Sequence, residues 1–257
     1  MRILISNDDG IGSPFLRSTA AALSELGEVK IVVPSKEQSW IGRAFSRHAE
    51  LKHERVSDFY GFDCHTISGT PSDCVNIAIN HLYEPNAKPD IVFSGINIGH
   101  NIAFPLILSS GTFAAAVEGA GHLIPSFAVS FQLRSEFYEM CRIRHQSSPD
   151  LDRELGVVCE NCAEFVGSVM QRKDEIKKGD VFNINYPSEY DGSPVCMCKT
   201  ANIKMESFYK KNENGNYVFK YKLGMKQKSE NFEPTDIDML SNSKACCSRI
   251  NIFEFAR

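Results

Sequence analysis

The chain opens on the apolar run Ile3-Leu4-Ile5-Ser6, which stops at Asn7-Asp8-Asp9-Gly10, and a second run, Val29 to Val33, stops at Pro34. Between them Leu16, Ala20 and Leu23 recur at helical spacing, with Ser13 as N-cap and Pro14 in the first turn. The alternation continues with a helix from about Ser72 to Leu82, a strand Ile91 to Ser94, a helix starting near Gly111 and a strand Phe127 to Phe131. Val158, Cys162, Phe165 and Val169 form a further helical stripe, followed by a strand from Val181 to Asn185 that ends at Pro187. Strands that are apolar on both faces and separated by helices predict an α/β fold, a three-layer parallel-sheet core covered on both sides.

The remainder reads differently. From Cys196 onward the pattern is β-like and polar, and Ser207-Phe208-Tyr209 and Tyr217 to Tyr221 flank the turn sequence Asn212-Glu213-Asn214-Gly215-Asn216. That is a hairpin signature, and its alternating Lys and aromatic residues suit an edge strand or a subunit contact. The segment Arg134 to Arg153 is charged and without clear period, so a surface loop is expected there. The resulting division is a core over 1–190 and a β-rich C-terminal extension over 191–257, expected to serve oligomerisation.

Composition narrows the function classes. The 257 residues are 42% hydrophobic and 23% charged, as in an ordinary globular protein. A net charge of -4 gives no global attraction to nucleic acid or acidic membranes, so neither is an expected partner. The uncharged stretch Ile91 to Val117 is broken by Gly95, Pro105 and Ser109-Ser110-Gly111-Thr112, which argues against a bilayer span. Nine cysteines without a recognisable secretion signal point to free thiols in a reducing compartment, hence a cytoplasmic location. Cys159-x-x-Cys162 lacks a matching second pair, and Cys162 falls on an apolar stripe, so core packing is favoured over zinc.

In an open parallel sheet, ligands bind where the strands end at their carboxyl termini. Asn7-Asp8-Asp9-Gly10, Ser35 to Ser39 and Ser94-Gly95-Ile96-Asn97 all follow or end such strands and converge on one rim. Two adjacent carboxylates repel each other unless a cation or proton lies between them. Asp8, Asp9, the Ser39 hydroxyl and the Asn97 amide oxygen would suit one Mg²⁺ or Mn²⁺ ion. Taken alone, Asp8-Asp9-Gly10 reads more readily as a tight turn and helix lead-in than as a site. Ser110-Gly111-Thr112 at a helix start offers free N–H groups and a positive dipole end to a phosphate, although ordinary capping uses the same residues. Asn7 and Arg43 are further candidates for phosphate contact. Gly69-Thr70-Pro71-Ser72-Asp73-Cys74 reads as a capped helix entry, and no GxxxxGK[ST] or GxGxxG occurs.

Five blocks in order resemble the SurE family of survival-protein nucleotidases. They are Ile3 to Gly10, Val33-Pro34-x-x-x-Gln38-Ser39, Gly69 to Val75, Ser94-Gly95-Ile96-Asn97-x-Gly99-x-Asn101, and Ser110-Gly111-Thr112-x-Ala114-Ala115-x-x-Glu118-Gly119. Asn183-Ile184-Asn185-Tyr186-Pro187 extends the likeness. The resemblance implies a Rossmann-like fold with a swapped C-terminal arm, a homodimer or homotetramer, and 5′(3′)-nucleotidase or acid phosphatase activity on nucleoside monophosphates. Its metal ligands fall on Asp8, Asp9, Ser39 and Asn97, and its phosphate segment on Ser110, Gly111 and Thr112, with Asn101 beside it. Trp40 departs from the small residue usual after Ser39. Arg43 stands where His is common, and the usual C-terminal strand is replaced by Lys244 to Asn251.

The function expected is metal-assisted hydrolysis of a nucleoside monophosphate, with Asp8 and Asp9 as catalytic groups. The alternative is a nucleotide-binding regulatory protein with weak or lost turnover, which Trp40 and the altered C-terminus favour. An NAD-dependent oxidoreductase fits the alternation of elements but lacks the glycine fingerprint.

Overall fold

In the computed structural model, which describes residues 1–220 and 233–254, the first apolar run forms β1 (Arg2–Ser6) and is buried on both faces. Ile3 and Ile5 pack into one core cluster and Leu4 into another, as the two-residue period of a strand requires. The chain continues through α1 (Leu16–Ser24), β2 (Glu28–Pro34), β3 (His53–Phe59), β4 (Phe62–Ile67) and α2 (Pro71–Ile77). A π-helical turn (Ala78–Leu82) leads to β5 (Ile91–Ile98), α3 (Phe104–Ile107), α4 (Gly111–Gly121) and β6 (Ser126–Phe131). Next come α5 (Ser135–Arg144), α6 (Pro149–Gln171), β7 (Asp180–Tyr186) and β8 (Cys196–Met197). The hairpin β9 (Tyr209–Lys211) and β10 (Tyr217–Phe219), α7 (Asp236–Ser241) and β11 (Cys246–Asn251) complete it.

One sheet runs in the order β3-β4-β2-β1-β5-β6-β7-β11-β8. The six strands from β4 to β7 are mutually parallel, whereas β3 and β11 run antiparallel to their neighbours β4 and β7. Residues of α1, α5 and α6 pack with Ile3, Ile5 and Phe93 on one face. Cys74, Val75 and Ala115 of α2 and α4 pack with Leu4, Val32 and Val92 on the other. The expected three-layer α/β core is therefore present, with extra C-terminal strands. From β1 the chain steps outward to β2 in one direction and, later, to β5 in the other. The sheet's switch point thus lies at the carboxyl ends of β1 and β5.

Two local expectations differ from the structure, and two elements add to the sequence reading. The segment from Arg134 to Arg153 is helical: it holds α5 and the start of α6. Phe137, Met140 and Cys141, at i, i+3 and i+4, face the core, and Ser148 caps α6 with Pro149 at its first turn. α1 begins later than Ser13, whose hydroxyl accepts from Phe15 N at 3.4 Å instead of capping the helix. The hairpin β3–β4 has no counterpart in the sequence reading. β3 is largely exposed and shows no apolar alternation, while Tyr60 and Gly61, both at positive φ, make the tight turn. The replaced C-terminal segment does form a strand, β11, paired with β7 of the same chain from Cys246↔Asn185 to Asn251↔Asp180. The predicted hairpin is β9–β10; Tyr221 lies outside the described residues. All nine cysteines are free, and Cys159 and Cys162 are buried on α6, as core packing requires.

Asp236, fully buried at the start of α7, ties the C-terminal extension to the core. It accepts hydrogen bonds from the backbone of Ala103 (2.9 Å), Ala201 (3.0 Å) and Ile237 (2.9 Å). Ala103, at φ 62, opens α3, so this carboxylate anchors a loop that borders the site. Burial pushes its carboxyl up to about 6 from the ordinary 3.8. A raised value means the native state holds an extra proton between the two, so stability contributed here is present at low pH and lost as pH rises toward about 6. The margin in Tm of the parent over Asp236→Asn is accordingly expected to shrink across that window and to stay level above it, as unfolding scans over pH would read.

Candidate active site

Asp8 and Asp9 sit directly past β1, and both are almost completely buried. Gln38 N donates to the Asp8 carbonyl at 2.7 Å, which pins the loop after β2 and with it Ser39 against the pair. Asn97 lies within β5, past an irregularity in its pairing with β6. Gly95, at φ +125, makes this bend possible, since a Cβ there would stand 2.2 Å from the Val129 carbonyl oxygen. Asp8, Ser39 and Asn97 line one cavity of about 560 Å³. Three of the four predicted ligands therefore share a wall, and the fourth, Asp9, is joined to Ser39 through a cation.

That cation is Arg142 of α5. Its Nη1 donates to Asp9 Oδ1 at 2.9 Å, and its Nη2 donates to Ser39 Oγ and Glu37 Oε1. The second oxygen of Asp9 accepts from Ile98 N at 3.1 Å. Burial pushes the Asp9 carboxyl up to about 7, the neighbouring Asp8 charge adds to this, and Arg142 opposes it. Burial likewise raises Asp8, against the hydrogen bond from Thr112. Two buried carboxylates on neighbouring residues thus need a positive charge, and the guanidinium supplies one. Nothing in the sequence marks Arg142: it lies in the segment read as a loop, far along the chain from Asp9.

The other predicted residues divide. Ser110 caps α4, accepting from Phe113 N at 3.1 Å, and lines the cavity. Gly111 packs so closely that an added Cβ would lie 2.7 Å from Asp8 Cβ. Thr112 Oγ1 donates to Asp8 Oδ1 at 2.6 Å, so its hydroxyl serves the carboxylate and not a ligand in the cavity. Asn101 lines the cavity and is held by two buried strand residues: its N donates to Asn185 Oδ1 at 2.8 Å, and its carbonyl accepts from Asn183 and Asn185. Asn7 is spent on its own turn, donating to the Gly10 carbonyl at 3.1 Å and accepting from Gly10 N at 2.9 Å. Arg43 pairs with the buried Glu118 at 2.7 Å and does not reach the cavity wall. Thr70 and Asp73 form a capping box, as the capped-entry reading expects. Burial lowers His100, on the cavity wall, to about 4, so it stands there as a neutral imidazole.

The donor set fits a hard divalent ion, being oxygen only, with a seat that already attracts a cation. Among the described residues no group of three or more His, Cys, Asp or Glu side chains offers a competing metal site. Thr112→Val should leave the helix in place but free Asp8 to turn. A loss of about 10- to 100-fold in Mn²⁺ affinity by calorimetry is expected, and unchanged affinity would contradict this role for Thr112.

Fold and site define an α/β protein with a cluster of side-chain oxygens and a helix N-terminus facing one cavity at the sheet's switch point. The family model of the survival protein SurE matches residues 3–209, and the chain belongs to that family. A 5′-nucleotidase SurE of Methanothermobacter thermautotrophicus is 37% identical over 191 residues, 73% of this chain and 68% of its own length. One from Clostridium botulinum (strain Kyoto) is 31% identical over 248 residues, 94% and 89% of the two chains. The crystal structure of the SurE protein from Aquifex aeolicus superposes with a TM-score of 0.76 at 25% identity, covering 98% of this chain and 93% of its own.

Proposed function

We propose that this chain is a divalent-metal-dependent nucleotidase that hydrolyses nucleoside 5′- and 3′-monophosphates to nucleoside and inorganic phosphate. The observation that carries the reading is the buried Asp8–Asp9 pair with Ser39 and Asn97 at the mouth of β1 and β5, beside the start of α4. The nucleotidase names of the relatives support the reaction class. Mg²⁺ or Mn²⁺ held by Asp8, Asp9, Ser39 and Asn97 would supply neutralisation of phosphoryl oxygens and a lowered pKa for water.

The chain's own residues do the rest. The first turn of α4 points its positive end at the Asp8 side of the cavity, where phosphoryl charge must rest. Ser110 places a hydroxyl on that wall, and Asn101 is fixed there by Asn185, so neither must reorganise as charge develops. Arg142 lines the same cavity and gives the transferring group a cation. A carboxylate oxygen of the Asp pair orients the attacking water. Assembly as a homodimer or homotetramer through the 191–257 extension and a cytoplasmic site of action belong to the same reading. The free thiols support the location.

The test is phosphate release from 5′-AMP, 5′-GMP and 3′-AMP in EDTA and with added Mn²⁺ or Mg²⁺. Release that requires the ion is expected. Nucleotide binding with no release under any condition would instead establish the regulatory binding protein.

A further inference from the structure

The lining of the cavity combines two chemistries. The Asp8, Ser39, Asn97 and Ser110 oxygens described above form one part of it. Trp40, Phe219 and Leu106 add aromatic and aliphatic surface to the same cavity. Trp40 directly follows Ser39 and holds φ 58, a conformation uncommon for a bulky residue. Trp40 is 44% exposed as a residue, yet its ring is held: Phe219 stands 5.2 Å away and Phe208 5.5 Å away, both edge-on. Those partners come from the β9–β10 hairpin and the residue before it, so the C-terminal extension contributes Phe219 to the wall and Phe208 behind Trp40. Phe219 is itself 43% exposed and borders the same cavity. Two large aromatic rings left open to a cavity, and buttressed there by a hairpin, suit a flat π-faced ligand better than solvent.

We propose that Trp40 and Phe219 form a stacking wall for the nucleobase, and that this wall makes the site select nucleotides over sugar phosphates without a base. The inference rests on the nucleotidase reading and names the part of the substrate that reading leaves open. Trp40 is one residue past Ser39 and lines the same cavity, so the organic portion of a phosphate held at the oxygen cluster shares that cavity with the indole. Stacking tolerates every base but grows with ring area, so purine monophosphates are expected to be preferred to pyrimidine ones.

Trp40 is the chain's single tryptophan, which makes the proposal directly readable. Titration of the full chain with 5′-AMP is expected to change the intrinsic fluorescence saturably, whereas inorganic phosphate and ribose 5-phosphate are expected not to. In kinetics, the ratio of kcat/KM for 5′-AMP to that for ribose 5-phosphate is expected to fall about tenfold or more in both Trp40→Ala and Phe219→Ala, mostly through KM. Trp40→Phe is expected to keep most of the ratio, separating ring stacking from a general folding defect. An unchanged ratio in both alanine variants, or fluorescence that responds equally to inorganic phosphate, would overturn the proposal. If no substrate releases phosphate, the nucleotidase reading fails, and the fluorescence titration still decides whether the wall binds a base.

Discussion

Asp8→Asn is expected to lower metal-dependent phosphate release by at least about 100-fold while leaving the melting temperature unchanged or raising it. The loss follows from removing a charge from the proposed ligand set, where even supporting partners are worth about 10- to 100-fold. The stability side follows from the environment. Asn keeps the volume that packs against Gly111 and an oxygen that can accept from Thr112 Oγ1. It also removes a carboxylate that burial disfavours in its charged form and that raises Asp9. Activity and stability should therefore move apart. A variant that retained most of its ion-dependent phosphatase activity would show that Asp8 is a turn residue.

Arg142→Gln should do the reverse in the absence of metal. The Arg142 and Asp9 side chains are 15% and 4% exposed, so the pair is removed from water. Deleting the guanidinium removes the influence that holds the Asp9 carboxyl down, so Asp9 must take up a proton or remain charged without a partner, and either outcome costs stability at neutral pH. Glu37 and Ser39 lose a donor in the same step. The variant is expected to melt well below the parent in EDTA and to recover on addition of Mn²⁺, because an ion that binds only the native state stabilises it by mass action. Equal melting temperatures in EDTA would mean that the guanidinium is not the counter-charge of the acidic pair.

The contrast between these two residues shows what could be read from the chain alone. β1, β2, β5, β6 and β7 were legible because each is buried on both faces, and the strand-end rule then put Asp8, Asp9, Ser39 and Asn97 on one rim. Arg142 was not legible. Its meaning comes from tertiary packing of α5, a ten-residue helix whose core-facing side chains, among the described residues, are Phe137, Met140 and Cys141. Asn7 and Arg43 were legible as polar residues near the rim but not in their use. A side-chain amide three residues from Gly10 closes its own turn, and a nearby buried Glu118 captures the guanidinium. β3 was invisible because an exposed edge strand carries no alternation, and the role of Thr112 emerged only when α4 was seen against Asp8.

The most direct test of the site is the anomalous scattering of Mn²⁺ in crystals of this protein. The account predicts one peak within coordination distance of Asp8, Asp9, Ser39 and Asn97, with Arg142 displaced from Asp9 Oδ1 toward the cavity. A peak elsewhere, or no peak in crystals of protein shown to hydrolyse nucleotides with Mn²⁺, would contradict it.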